Sequence, residues 1–156
     1  MKQRFLILLT FLMMGCVSNP TPDVSGLGAR ANGVSYQATC ETFSQQLFLL
    51  PDGTMVRKVH RYGKAPQLTV THTHDDLWPR VAALLQTETG KQVKDEFLPW
   101  NEFDGGHGCL VEMNVRSGAS QAHLMEQGGS LGLIRKSDRA GRLIADLLMP
   151  YLPPVP

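Results

Sequence analysis

The sequence predicts an α+β domain: an antiparallel sheet of about five strands with two helices packed on one face, in the order β-β-β-α-β-β-α. Three observations carry this expectation. Residues 46–62 hold two apolar segments around Pro51-Asp52-Gly53, the clearest hairpin in the chain. Segments 77–85 and 140–148 repeat apolar residues at helical spacing. Two further β-rich segments, 109–116 and 120–126, lie between those helices. With 156 residues, 42% hydrophobic and 19% charged, the chain suits one folded domain and is too apolar for a disordered one.

Folding signals begin near Val34, and Tyr36 to Thr42 reads as a first strand. Gln46 to Leu50 and Thr54 to Tyr62 form the hairpin, with Pro and Asp-Gly supplying the turn. In its second arm Met55, Arg57, Val59 and Arg61 alternate with Val56, Lys58, His60 and Tyr62. Gln67 to Thr71 is a further β segment. A helix then starts at Asp75 or Asp76 and runs to about Gln86, because Asp is a good N-cap and Pro79 is tolerated only in the first turn. Leu77, Val81, Leu84 and Leu85 make its apolar stripe, with Trp78 and Ala82 beside it. In the strand from Cys109 to Arg116, residues Cys109, Val111, Met113 and Val115 share one face. Ser117-Gly118-Ala119 turns into the strand from Ser120 to Glu126. Ser137 caps the last helix, whose stripe is Ala140, Leu143, Ile144, Leu147 and Leu148. The domain spans residues 34–149. Its tail, 150–156, holds four of the ten prolines, suits the polyproline conformation and can serve as a docking segment.

The N-terminus follows a different logic. Lys2 and Arg4 are followed by Phe5 to Met14, which is apolar except for Thr10. This run is too short for the roughly 30 Å hydrocarbon core, and it has the layout of a secretory signal peptide over residues 1–15. Leu12-Met13-Met14-Gly15-Cys16 resembles the lipobox of bacterial lipoproteins. The resemblance implies that Cys16 becomes the acylated first residue of the mature chain, with Met13 and Met14 departing from the commoner residues there. Val17 as the second mature residue implies sorting to the outer membrane. On that reading the partners are the lipid bilayer, through acylated Cys16, and another envelope protein. Residues 17 to about 33, rich in Ser, Pro, Thr, Gly and Ala, read as a flexible tether with a reach of about 20–25 Å.

Charge narrows the function classes. Fifteen Lys and Arg face 14 Asp and Glu, a balance unlike the basic face of a nucleic-acid binder. Loss of residues 1–15 would leave 13 basic against 14 acidic residues, so lipid and not charge would hold the protein to a membrane.

Taking Cys16 for lipid, as the resemblance implies, leaves Cys40 and Cys109 as an even pair in an oxidising compartment. A disulfide between them is the favoured reading. Two free buried thiols, or a catalytic Cys with a nearby His, are the alternatives. His72-Thr73-His74-Asp75-Asp76 can place two imidazoles on one side of an extended segment, with a carboxylate near, as Zn²⁺ or Cu²⁺ needs. His60 and His107 can join from elsewhere. The competing reading is a polar strand-to-helix connection. Asp104-Gly105-Gly106-His107-Gly108 lacks phosphate-loop spacing. Glu96, Glu102 and Asp104 have no spacing that forces a carboxylate pair, and no Gly-x-Ser-x-Gly elbow is present. Trp78, Trp100, Phe97 and Phe103 are core or partner-facing. The expectation is therefore a non-enzymatic envelope module without a cofactor. A periplasmic metal-binding or hydrolytic protein using His72 and His74 is the alternative.

Overall fold

A computed structural model of the chain describes residues 21–73, 76–99, 109–128 and 132–152. Among these residues the chain forms strands β1 (Gly33–Thr39), β2 (Phe43–Leu49), β3 (Thr54–Arg61) and β4 (Gln67–His72), then helix α1 (Leu77–Glu88). Strands β5 (Glu96–Pro99), β6 (Leu110–Ser117), β7 (Ser120–Gly128) and β8 (Gly132–Ser137) follow, and helix α2 (Arg139–Leu148) leads into a short 3-10 turn at Met149–Tyr151. All eight strands join one antiparallel sheet in the order β4-β3-β2-β1-β6-β7-β8-β5.

The α+β class with one antiparallel sheet and two helices is as expected, but the strand count and order are corrected. Eight strands replace about five, and the four β segments read before the first helix are four separate strands, where the order β-β-β-α-β-β-α allowed three. β5 was not expected because it is only four residues long and ends in Pro99, which cannot donate to a ladder. β8 was not expected because its period is disguised. Leu133, Arg135 and Ser137 share the helix-side face, so a charged residue sits where an apolar one signals a strand.

The sheet is built from two meanders, β1 to β4 and β6 to β8, joined where β1 pairs with β6. Val34, Tyr36 and Ala38 of β1 lie on one face with Leu47 and Leu49 of β2 and with Met113 and Val115 of β6. Leu77, Val81 and Leu85 of α1 and Ala140, Ile144 and Leu148 of α2 complete this core, each of these six being fully buried. The helices rest on β6 and β7. β4, at one edge, is exposed along its whole length.

Two helix starts differ in detail. Asp76 occupies the N-cap position of α1 without a side-chain cap bond. Asp138, not Ser137, caps α2: its Oδ1 accepts from the Gly141 amide at 2.6 Å. Ser137 is the last residue of β8. Chain trace decides this, because β8 runs directly into α2 and leaves Asp138 as the first residue free to turn.

Part of the predicted tether lies on the sheet. Leu27 is buried, and Arg116 of β6 donates through Nε to the Ala29 carbonyl at 2.9 Å. The Gly118 amide donates to Asn32 Oδ1 at 2.9 Å. Gly28 has φ +74 and lies so close to the Asn114 backbone that a Cβ there would collide with it.

Candidate functional site

Cys40 directly follows β1 and Cys109 directly precedes β6, so they sit just outside the strands rather than within them. Thr39 and Leu110 are the last paired residues of that ladder. The next row is the two cysteines, whose Cα atoms are 4.2 Å apart and whose sulfurs are bonded. The bridge staples the seam between the two meanders and consumes both thiols. The free-thiol and catalytic-cysteine alternatives are thereby removed. A local bond supports the corner, where the Cys40 amide donates to the Phe43 carbonyl at 2.9 Å.

Among the described residues, His60 and His72 are not brought together. His72 ends β4, opposite Thr54, on the sheet face away from the helices. It lies near the Asp52 turn. The Asp52 carboxyl is held below its ordinary range mainly by the Thr54 amide, with His72 contributing less. His60 is on the same face but six residues further along β3, roughly 20 Å away. His123 lies elsewhere, its Nδ1 3.2 Å from Asp138 Oδ2. Among the described residues no three His, Cys, Asp or Glu side chains are grouped to hold a metal ion. His74, Asp75 and His107 lie outside the described residues. So do Cys16, the predicted signal peptide, Trp100, Phe103, the 104–108 loop and the last four tail residues.

The densest polar constellation joins β5, β7, β8 and α2. Arg135 Nε donates to Glu126 Oε1 at 2.5 Å, and its Nη1 is 3.6 Å from Glu96 Oε2. Arg142 Nη1 donates to Glu96 Oε1 at 2.5 Å, and its Nε donates to Ser137 Oγ at 3.2 Å. Acid and base alternate, so each carboxylate is engaged by a guanidinium. The chemistry is that of a clasp holding the short edge strand β5 to α2, not of a paired-carboxylate acid and base. No local pattern in the sequence marks this clasp, because Arg135 is the same residue that disguises the strand period of β8. Beside it, burial and then the Glu126 charge push the Tyr36 phenol up to about 12, against a lowering hydrogen bond with Gln45.

Between the helices lies an open groove of about 500 Å³ lined by Arg80, Ala83, Leu84, Thr87, Leu143 and Leu147. Leu143 was expected in the core stripe, yet α2 turns Gly141 to the sheet and leaves Leu143 at the groove. No described helix is long and apolar enough to cross a membrane. The chain matches no family model, no curated protein and no solved structure.

Proposed function

We propose that the chain is a bacterial lipoprotein, held at the outer membrane by acylated Cys16, whose stapled domain is a binding or accessory module for another envelope protein. The observation that carries this reading is the Cys40–Cys109 bridge. Such bridges persist in oxidising compartments and are rare where cellular reductants keep thiols free. The cationic, apolar and small-residue run ending in Gly15-Cys16 has the layout of an export signal. Two unrelated features therefore favour one compartment.

The docked residues shorten the connection. Val24, whose carbonyl accepts from the Leu27 amide, begins the hydrogen-bonded turns on the sheet. Seven residues, 17–23, lie between it and Cys16, and the eight steps span at most about 28 Å. The module would work close to the bilayer surface. Each buried acyl methylene contributes about 0.8 kcal/mol, and more than one chain gives durable attachment.

Cys16→Ser tests the anchor. The variant is expected to lose incorporation of labelled palmitate and to move from the membrane pellet to the soluble fraction. Unchanged labelling and fractionation would overturn the reading. Val17→Asp is expected to redirect the protein to the inner membrane, and crosslinking in intact cells with pull-down identifies the partner.

A further inference from the structure

The two edges of the sheet are built differently. β5 has four residues, ends in Pro99, and has Glu96 clasped by Arg135 and Arg142. Shortness, proline and charge are the usual protections of an edge. β4 has none of them. Gln67-Leu68-Thr69-Val70-Thr71-His72 carries no acid, lysine, arginine, glycine or proline, and all six residues are exposed.

The ladder determines which backbone groups face outward. The Thr73 amide donates to the Gly53 carbonyl at 2.9 Å, and Thr71 and Thr69 stand opposite Met55 and Arg57. In an antiparallel pair the bonded positions alternate, so odd-numbered residues of β4 bond to β3. The N–H and C=O of Leu68 and Val70 therefore point away from the sheet. Among the described residues no strand lies beyond them.

We infer that this edge is an interface between two copies of the chain, with β4 pairing antiparallel to β4 of the second copy about a two-fold axis at Thr69. The sequence of the strand is self-complementary about that point. Leu68 and Val70, 51% and 47% exposed, flank Thr69. The two-fold sets each opposite the other type in the second copy, twice, as bonded pairs that share a face. Phe48, Val56 and Val70 are cross-strand neighbours on the face away from the helices, and this apolar row ends at the open edge. Leu68 of the second copy continues it.

Charge favours a copy over a charged partner strand, because β4 carries no Asp, Glu, Lys or Arg for such a strand to pair with. The nearest Lys and Arg are one strand back, Lys58 opposite Leu68 and Arg57 opposite Thr69, and the two-fold at Thr69 sets Lys58 farther from its own counterpart than Arg57 from its own. Arg57 and its counterpart would be separated by three strand spacings, about 14 Å, beyond a Debye length of about 8 Å at physiological salt. Arg57 also leans away from the edge, donating through Nη1 to the Tyr151 carbonyl at 3.3 Å.

The test uses the purified full chain in detergent with Cys16 replaced by Ser, oxidised with copper phenanthroline. Thr69→Cys places its thiol in a non-bonded pair with Cα atoms about 4.5 Å apart, within disulfide range. Thr71→Cys places its thiol roughly 13 Å along the strand from its copy, out of reach. The expected result is at least about tenfold more disulfide dimer from Thr69→Cys than from Thr71→Cys. Equal crosslinking at the two positions would overturn the register and the proposal with it. Independently, Leu68→Lys combined with Val70→Lys is expected to halve the protein mass measured by light scattering while leaving the circular dichroism spectrum unchanged. A monomer mass for the unaltered chain, or a dimer mass for the double variant, refutes self-pairing. Capture of a different protein's strand by an otherwise monomeric chain does so as well.

Discussion

Replacing Gly141 by Ala separates helix propensity from packing. At an exposed helix position this change stabilises by about 1 kcal/mol, because Ala loses less backbone freedom on folding. Gly141 is buried on α2, facing β7. A Cβ there would stand 2.7 Å from the His123 carbonyl carbon, nearer still to its oxygen, and 3.2 Å from Asp138 Oδ1. Normal carbon contacts need about 3.5 Å or more, so α2 must lift by roughly 1 Å. The helix cannot lift alone. Ala140, Ile144 and Leu148 are fully buried on it, and overpacking of this kind costs about 1–3 kcal/mol. The Asp138 carboxylate accepts from both the Gly141 amide and the His123 amide, at 2.6 and 3.0 Å. Weakening that cap costs about 1 kcal/mol more. The expected net effect of Gly141→Ala is a loss of about 1–3 kcal/mol, read as a lower urea midpoint at unchanged m-value. Hydrogen exchange at the His123 amide is expected to accelerate in parallel. A variant as stable as the parent would refute the close approach of α2 to β7.

Two further outcomes follow from buried chemistry. Cys40→Ala with Cys109→Ala, or reduction of the parent, opens a loop with a sequence separation of 69 and is expected to cost about 4 kcal/mol in the chain-entropy model; an unchanged urea midpoint after reduction would contradict the staple. Tyr36 supplies a pH dependence at the alkaline end. Burial keeps its phenol neutral until about pH 12 in the folded chain, whereas the unfolded phenol ionises from about 10. Stability is therefore expected to fall as pH rises from 10 to 12, by about 3 kcal/mol over two pKa units. Tyr36→Phe should flatten that decline in urea titrations at stepped pH, and an equal decline in the variant would remove Tyr36 as its source.

Legibility in the sequence followed how strictly one physical demand ruled each segment. The β2–β3 hairpin was readable because Asp52-Gly53 supplies turn chemistry and each arm buries apolar residues on the helix side. Both helices were readable because one stripe of each meets the sheet. Where two demands met, the reading slipped. In β8, Arg135 is turned inward and tolerated only because Glu126 and Glu96 meet it. In α2, the need for a backbone contact at Gly141 outweighs the apolar stripe and leaves Leu143 partly exposed. Residues 24–32 have a linker's composition, yet Leu27 and the Arg116 and Asn32 hydrogen bonds hold them to β6. A local window contains none of these long-range partners. The two-cysteine pairing was legible because it rests on redox chemistry, which needs no knowledge of the fold.

The width of the sheet explains why its two edges are finished differently. Two helices of 12 and 10 residues rest on β6 and β7, and eight strands at about 4.8 Å spacing are wider than two helices each about 10 Å across. The surplus must be resolved separately at each edge. At β5 the chain resolves it with the Arg135, Glu96 and Arg142 clasp, which tolerates water. On the helix side, β3 still buries Met55 but then carries Arg57, Val59 and Arg61, and β4 carries only Gln67, Thr69 and Thr71, because no helix covers them there. The opposite face nevertheless keeps Leu68 and Val70, which solvent does not favour. Within β4, polar Gln67, Thr69 and Thr71 on the helix side and apolar Leu68 and Val70 on the outer side reverse the pattern in the centre of the sheet. That reversal is accounted for if the β4 edge meets another strand whose apolar side chains fall on the outer face.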